Sequence, residues 1–361
     1  MFDRRDVDRA YRAPSIQSCS PPTTVKMQLT TLLPALLLSS LPGTQAWGFY
    51  GHKTVALLAS RYLLPETSVF VQTYLYRGQS IMDAAVWADR YAHIPLGRYS
   101  KTWHYIDARD DPPRVCEVNY DRDCAVAGGG CIISALVNMT ARIQDESLPW
   151  AQRAQALRFI LHFVGDIHQP LHTEHKSLGG NRIKVLFHGH EANLHSIWDS
   201  KIIEAVRGRP TERGIINLTN ELQDRIEGGE YATEAKENWK SCLNTTAAEE
   251  CALVWASGAN KWVCDYVLKD EDLEGKELGG EYAEGAVPII EKSIAQAGYR
   301  LAGWLNMLVV GKDGLDGTES FGNGGWEVLE GAREGVEEVD REIEEMIEEG
   351  ARRFEGLRVQ G

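Results

Sequence analysis

The chain has 361 residues, 43% hydrophobic and 25% charged, an ordinary globular composition that excludes disorder and collagen-like repeats. Its net charge of −14 leaves no basic surface to neutralise phosphates, so a polyanion must be met by something other than Lys and Arg. Seven cysteines, none in a C-x-x-C pair, argue against a thiolate zinc knuckle and suit disulfides in an oxidising compartment.

Residues 1–26 are charged and rich in Pro and Ser, and Met27 opens MQLTTLLPALLLSSLPGTQA. Its apolar run from Leu32 to Leu41 is interrupted by Pro34, Ser39 and Ser40 and is too short to span a bilayer. It reads as a signal peptide, with translation starting at Met27 or with residues 1–26 lengthening the polar front of the signal, and, from the small residues Thr44 and Ala46, a cut before Trp47. Cleavage removes Cys19 and leaves six cysteines.

From Trp47 onward the period is helical. Apolar residues at three and four spacing predict helices from His52 and from Cys131 to Ile143. A longer one starts at Ala151 and is stopped by Pro170. GGNRIKVLFHGHE alternates and predicts a short β-hairpin, and NLHSIWDSKIIEAV predicts one helix capped by Asn193. Further helices are expected over Thr219–Ile226, Cys251–Leu268 and Val287–Leu308. The fold class is all-α with a small strand insertion. After Val310 the composition changes: residues 311–361 hold six Lys or Arg against fifteen acids. They read as a Gly-rich linker and a charged helix, a solvated acidic tail.

Histidine placement carries the chemistry. All ten histidines lie between His52 and His195. His162 and Asp166 stand four apart, as do His195 and Asp199, and four residues on a helix is one face, so each pair can close on one cation. One such pair is commonly a surface hydrogen bond. Two pairs, with His172 between them and Asp89 and His104 upstream, point to a multinuclear site whose N and O donors suit catalytic zinc.

These residues sit in WGFYGHKTVA, VWADRY, WHYIDARDDPP, VNYDRDCAV, ALRFILHFVGDIHQPLH, GGN, NLHSIWD and AGYRLAGWLN. In this order and spacing the chain resembles the single-strand-specific zinc nucleases of fungi and plants, the S-one/P-one nuclease family. The resemblance runs from Trp47 to about Leu308. It implies a phospholipase C / P-one nuclease-like helical domain over 47–310 and three zinc ions in a cleft. One zinc is then held by Asp89, His104, His162 and Asp166. A second takes the amino nitrogen and carbonyl of Trp47, His52 and the bridging Asp166, and a third takes His172, His195 and Asp199. Asp89 and Asp166 are the catalytic carboxylates in this assignment, since they hold the two neighbouring ions. Such ions, about 3.5–4 Å apart, share a water and bring its pKa toward ~7 to give the attacking hydroxide.

The same resemblance assigns Tyr105 to stacking an unpaired base, Asp107 to hydrogen-bonding its edge and Leu178 to the opposite wall. Zinc then supplies the positive field that an acidic protein lacks. Expected partners are single-stranded DNA, RNA and 3′-nucleotides, cut to 5′-mononucleotides by a monomer that is extracellular and not membrane-bound. Alternatives are a zinc phospholipase C and a catalytically weak zinc-binding protein. One departure stands out: Ala92 occupies a position where a basic residue is usual, with Arg90 and Arg98 nearby as replacements. The resemblance pairs Cys116 with Cys264 and Cys124 with Cys131, which leaves Cys242 and Cys251 to pair. Sequons at Asn138, Asn217 and Asn244 are glycosylation acceptors in a secreted chain.

Overall fold

A computed structural model describes residues 47–315 except 77, 125–128 and 271. The expected signal segment, with Met27 and the cut after Ala46, and the charged helix of the acidic tail lie outside the described residues. The α-helices run as α1 (Phe49–Ser60), α2 (Pro65–Tyr74), α3 (Ile81–Ala85), α4 (Trp87–His93), α5 (Tyr120–Asp123), α6 (Ile132–Gln144) and α7 (Trp150–Asp166). They continue as α8 (Leu194–Ser196), α9 (Ile202–Arg207), α10 (Glu212–Glu227), α11 (Ala232–Glu234), α12 (Ala248–Trp262) and α13 (Glu281–Val310). Among the described residues the only sheet is the antiparallel hairpin of β1 (Lys184–Phe187) and β2 (His190–Asn193). Its turn places His188 and Gly189 at φ 51° and 75°, the left-handed pair a two-residue hairpin loop needs. The fold is mostly helical, as expected.

Two helices organise the core. In α7 every residue from Ala156 to Asp166 is buried, so the helix is enclosed on all sides rather than amphipathic. α6 packs along it, and α13 packs against α1, with Trp47, Trp198, Trp239, Trp255 and Trp304 all fully buried. A helix buried all round can carry polar groups only if something satisfies them, which makes His162 and Asp166 on α7 conspicuous.

Several elements differ from the sequence expectation. The segment read as one helix from Asn193 is split into α8, a π-turn over Ile197–Lys201 and α9. The Asp199 carbonyl accepts from the Gly48 amide at 2.7 Å, which ties the widened turn to the start of α1. The expected Cys251–Leu268 helix likewise becomes α12 followed by a π-turn over Val263–Val267. α10 starts at Glu212, capped by Thr211, seven residues before its first expected member. α13 starts at Glu281 and continues through Pro288, where a proline reads as a helix start but here removes one ladder bond within a 30-residue helix. α2 to α5 are too short for a periodicity to show.

Three disulfides close: Cys116–Cys264, Cys124–Cys131 and Cys242–Cys251. No helix among the described residues is long and apolar enough to cross a membrane.

Packing continues a few residues beyond Val310. The Asp313 carbonyl accepts from Asn306 at 2.8 Å, the Leu315 carbonyl accepts from Tyr299 at 3.2 Å, and the Leu315 side chain is buried. A chain ended after Val310 is therefore expected to be about 2–3 kcal/mol less stable than one ended after Leu315, for one buried leucine and its hydrogen bonds. Urea unfolding of the two truncated chains side by side checks this, and equal midpoints would show that residues 311–315 contribute nothing.

Candidate metal centre

Two of the three groups share α7. His162 and Asp166, one turn apart, face the His52 imidazole from α1, Asp89 from α4 and His104 at the end of the 3-10 turn Arg98–His104. Asp166 uses both oxygens: Oδ1 lies 3.0 Å from His52 Nε2, while Oδ2 lies 3.0 Å from His104 Nδ1 and 3.1 Å from His162 Nε2. Asp89 Oδ1 approaches His162 Nε2 at 3.4 Å and His104 Nδ1 at 3.6 Å. The His52 and His162 rings stack at 3.9 Å. That approach needs Gly165, since a Cβ there would stand 2.7 Å from His52 Nδ1.

The third group assembles from loop elements. His172 comes from the 3-10 turn Pro170–Thr173, His195 from α8 and Asp199 from the π-turn. Asp199 Oδ2 lies 3.3 Å from His195 Nε2, and its Oδ1 lies 3.8 Å from His172 Nε2. Gly179, at φ +57°, gives His195 room and lends it a carbonyl.

The donor chemistry fits a cation in each group. Nδ1 of His162, His172 and His195 lies 2.6, 2.7 and 2.6 Å from the carbonyls of Ala85, His104 and Gly179. A carbonyl only accepts, so each Nδ1 carries the proton and each Nε2 presents a lone pair. His172 Nε2 and His195 Nε2 then face each other 3.1 Å apart, two buried acceptors that need a cation between them. This is also how imidazole ligands are held in metal sites. His52 Nε2, Asp166 Oδ1 and His104 Nε2 are buried with no hydrogen-bond partner among the described residues.

Electrostatics agree. Burial pushes the His195 imidazole down to about 3, and it lowers His172 as well, so both are neutral ligands at neutral pH. Burial raises the Asp199 carboxyl well above its ordinary range, a carboxylate short of positive charge. Burial alone would raise Asp166, but His162, His104 and His52 hold it well below. Burial alone would lower His162, and Asp166 and Asp89 reverse that.

The residues expected to meet a base lie beside the third group. Tyr105 and Asp107 follow His104, and the Ile106 amide donates to the His172 carbonyl at 2.8 Å. The His175 amide donates to Ala108 at 3.1 Å, and the turn it begins ends at Leu178, which is 48% exposed. The segments bearing Asp107 and Leu178 are thereby joined. Burial raises the Asp107 carboxyl, against the opposing pull of His175, whose Nδ1 is 3.7 Å away. His175 was not among the residues expected to act, and nothing in its spacing singles it out.

Ala92 is buried in α4. Arg90 lies over the Phe49 ring at 5.5 Å and lines a cavity of about 340 Å³ with Lys53, Asp83 and Glu212. Arg98 is exposed at the start of the 3-10 turn that ends in His104. Trp47 is fully buried, immediately before the Gly48 amide that holds the Asp199 carbonyl. Trp87 and Trp198 pack behind ligand-bearing segments, stacked on Tyr91 and bonded to Tyr282 respectively. The sequence did not mark out Gly165, Gly179 or Gln169, whose amide reaches Asp199.

Comparison with known proteins agrees with this geometry. The chain is 39% identical to Nuclease S1 of Aspergillus oryzae over 269 residues, covering 73% of this chain and 92% of that protein. It is 39% identical to Nuclease P1 of Penicillium citrinum over 264 residues, 72% of this chain and 97% of the relative. Endonuclease 3 of Arabidopsis thaliana is 32% identical over 297 residues, 80% of this chain and 97% of the relative. Residues 47–310 match the sequence profile of the family described as S1/P1 Nuclease. That span holds all three His/Asp groups, and with it the chain belongs to the S1/P1 nuclease family and is an enzyme acting on nucleic acids.

Proposed function

We propose that the chain is a secreted zinc nuclease that hydrolyses single-stranded DNA and RNA to 5′-mononucleotides and removes the 3′-phosphate from nucleotides. The observation that carries this reading is the pair of His/Asp groups that meet at His162, with Asp166 turning one oxygen to His52 and the other to His104, and a third group of the same donor type. Asp89, His104, His162 and Asp166 hold one zinc, Trp47, His52 and Asp166 a second, and His172, His195 and Asp199 a third. When bound, the ions supply Lewis acidity toward phosphate oxygens and lower the pKa of water toward ~7.

The chain's own residues supply the rest. Asp166 spans two groups and fixes their separation, Asp89 closes the outer side of the first, and the carbonyls of Ala85, His104 and Gly179 keep three imidazoles aimed inward. Tyr105 offers a ring to an unpaired base, Asp107 accepts from the base edge, and Leu178 closes the far wall. Stacking requires a splayed base, which a duplex does not present, and tolerates any sequence because every base has a π face. Residues 47–310 are the nuclease unit, preceded by an extension with its signal peptide and followed by an acidic tail. Three disulfides suit an extracellular compartment, and Asn138, Asn217 and Asn244 are exposed where glycans would attach. The unit acts as a monomer.

Purified mature protein incubated with zinc and single-stranded DNA, duplex DNA or phosphatidylcholine tests this. The expected result is rapid cleavage of the single strand, slow cleavage of the duplex and no phosphocholine release. Phosphocholine release would make it a phospholipase C. Zinc-loaded protein inert toward all three would make it a zinc-binding protein.

A further inference from the structure

Gln169 lies between the end of α7 and the 3-10 turn Pro170–Thr173 and is fully buried. Its two amide atoms act on two different elements. Nε2 donates to Asp199 Oδ1 at 2.6 Å, across 30 residues of sequence. Oε1 accepts from the Leu171 amide at 2.6 Å and caps the turn that carries His172. The amide has only one sensible orientation, because the Leu171 N–H only donates and an ionised carboxylate only accepts. The contact leaves Asp199 Oδ2 as the oxygen turned toward His195 Nε2, at 3.3 Å. Among the described residues no Lys or Arg pairs with Asp199; its titratable neighbours are the two imidazoles.

We infer that Gln169 is a positioning residue that sets the third metal group, by orienting Asp199 through its NH₂ and seating His172 through its carbonyl. It reaches one ligand by a side-chain bond and a second by capping the backbone turn beneath it. Neither contact is made with a residue of the His52 or Asp89 group. Partners that orient ligands in this way are typically worth 10–100-fold in metal affinity. The inference rests on the reading that His172, His195 and Asp199 hold a zinc.

Two substitutions separate the roles. Gln169→Glu keeps the side-chain length and the acceptor for Leu171 but loses the donor to Asp199. Gln169→Met keeps the length and loses both. Zinc per chain is measured by mass spectrometry after dialysis against a moderate chelator, alongside thermal unfolding of the metal-free proteins. The expected result for Gln169→Glu is loss of about one zinc with roughly 10–100-fold weaker binding at that site. Both variants melt earlier than the unsubstituted chain when metal-free, Gln169→Glu because its new carboxyl faces Asp199, so the deciding readout is that the zinc lost from each is confined to one site. Unchanged zinc content and affinity in Gln169→Glu overturns the inference, and so does equal weakening of all the ions. If Gln169→Met does not fold, Gln169→Glu decides alone. His172→Ala is the control for the underlying reading: if it retains as much zinc as the unsubstituted chain, the third group holds none and that reading falls instead.

Discussion

Asp166→Ala is expected to lower single-strand cleavage by at least about 10³-fold, or about 4 kcal/mol of transition-state stabilisation, and to do more damage than His172→Ala. The reason is geometric. Each Asp166 oxygen belongs to a different group, one 3.0 Å from His52 and the other within 3.1 Å of His104 and His162. Removing the side chain takes a ligand from two neighbouring ions at once and leaves three buried imidazoles with Asp89 as their remaining carboxylate, whereas removing His172 disturbs one group. Metal analysis beside the kinetics checks the cause. Asp166→Ala protein that keeps both neighbouring ions, or that is no slower than His172→Ala, would show that the carboxylate is not a bridge.

A single extra alanine before Trp47 is expected to remove about one zinc and most of the activity. An α-amine can donate its lone pair to a metal, but once acylated the nitrogen is an amide whose lone pair is delocalised and ligates poorly. Trp47 is fully buried, and the next residue, Gly48, is held by the Asp199 carbonyl at 2.7 Å, so the chain start has little freedom to move aside. On the proposed cut before Trp47, removal of the preceding segment would then be an activation step as well as a sorting step. Mature protein with and without the added alanine should be compared for zinc content and single-strand cleavage. Equal zinc and equal rates in the two would remove the terminal amine from the ligand set.

Periodicity was enough to place α1, α6, α7 and the hairpin, because each has several apolar positions in register. The two His and Asp pairs at four spacing were visible for the same reason, since helix geometry makes such neighbours predictable from number alone. The π-turns at 197–201 and 263–267 were invisible. One hydrogen-bond shift widens the turn without altering residue type, and each turn carries a contact with a remote partner, the Gly48 amide at Asp199 or the Cys116 sulfur at Cys264. Gly165, Gly179 and Gln169 lie in the motifs quoted above without a role of their own, because what each does depends on a side chain brought up from elsewhere in the chain. A glycine beside a ligand and a glutamine before a proline carry no local signature of that contact. His168 is buried against Arg300, at 2.9 Å.

The Cys116–Cys264 bond spans 148 residues, and that interval contains His162, Asp166, His172, His195 and Asp199. A protease that cuts the chain once anywhere between the two cysteines therefore severs the backbone but not the molecule. The piece bearing His52, Asp89 and His104 stays covalently tied to the piece bearing α13, and the fragments can re-form their contacts instead of diffusing apart. Backbone nicking and loss of the protein thereby become separate events, and only reduction joined to cleavage takes it apart.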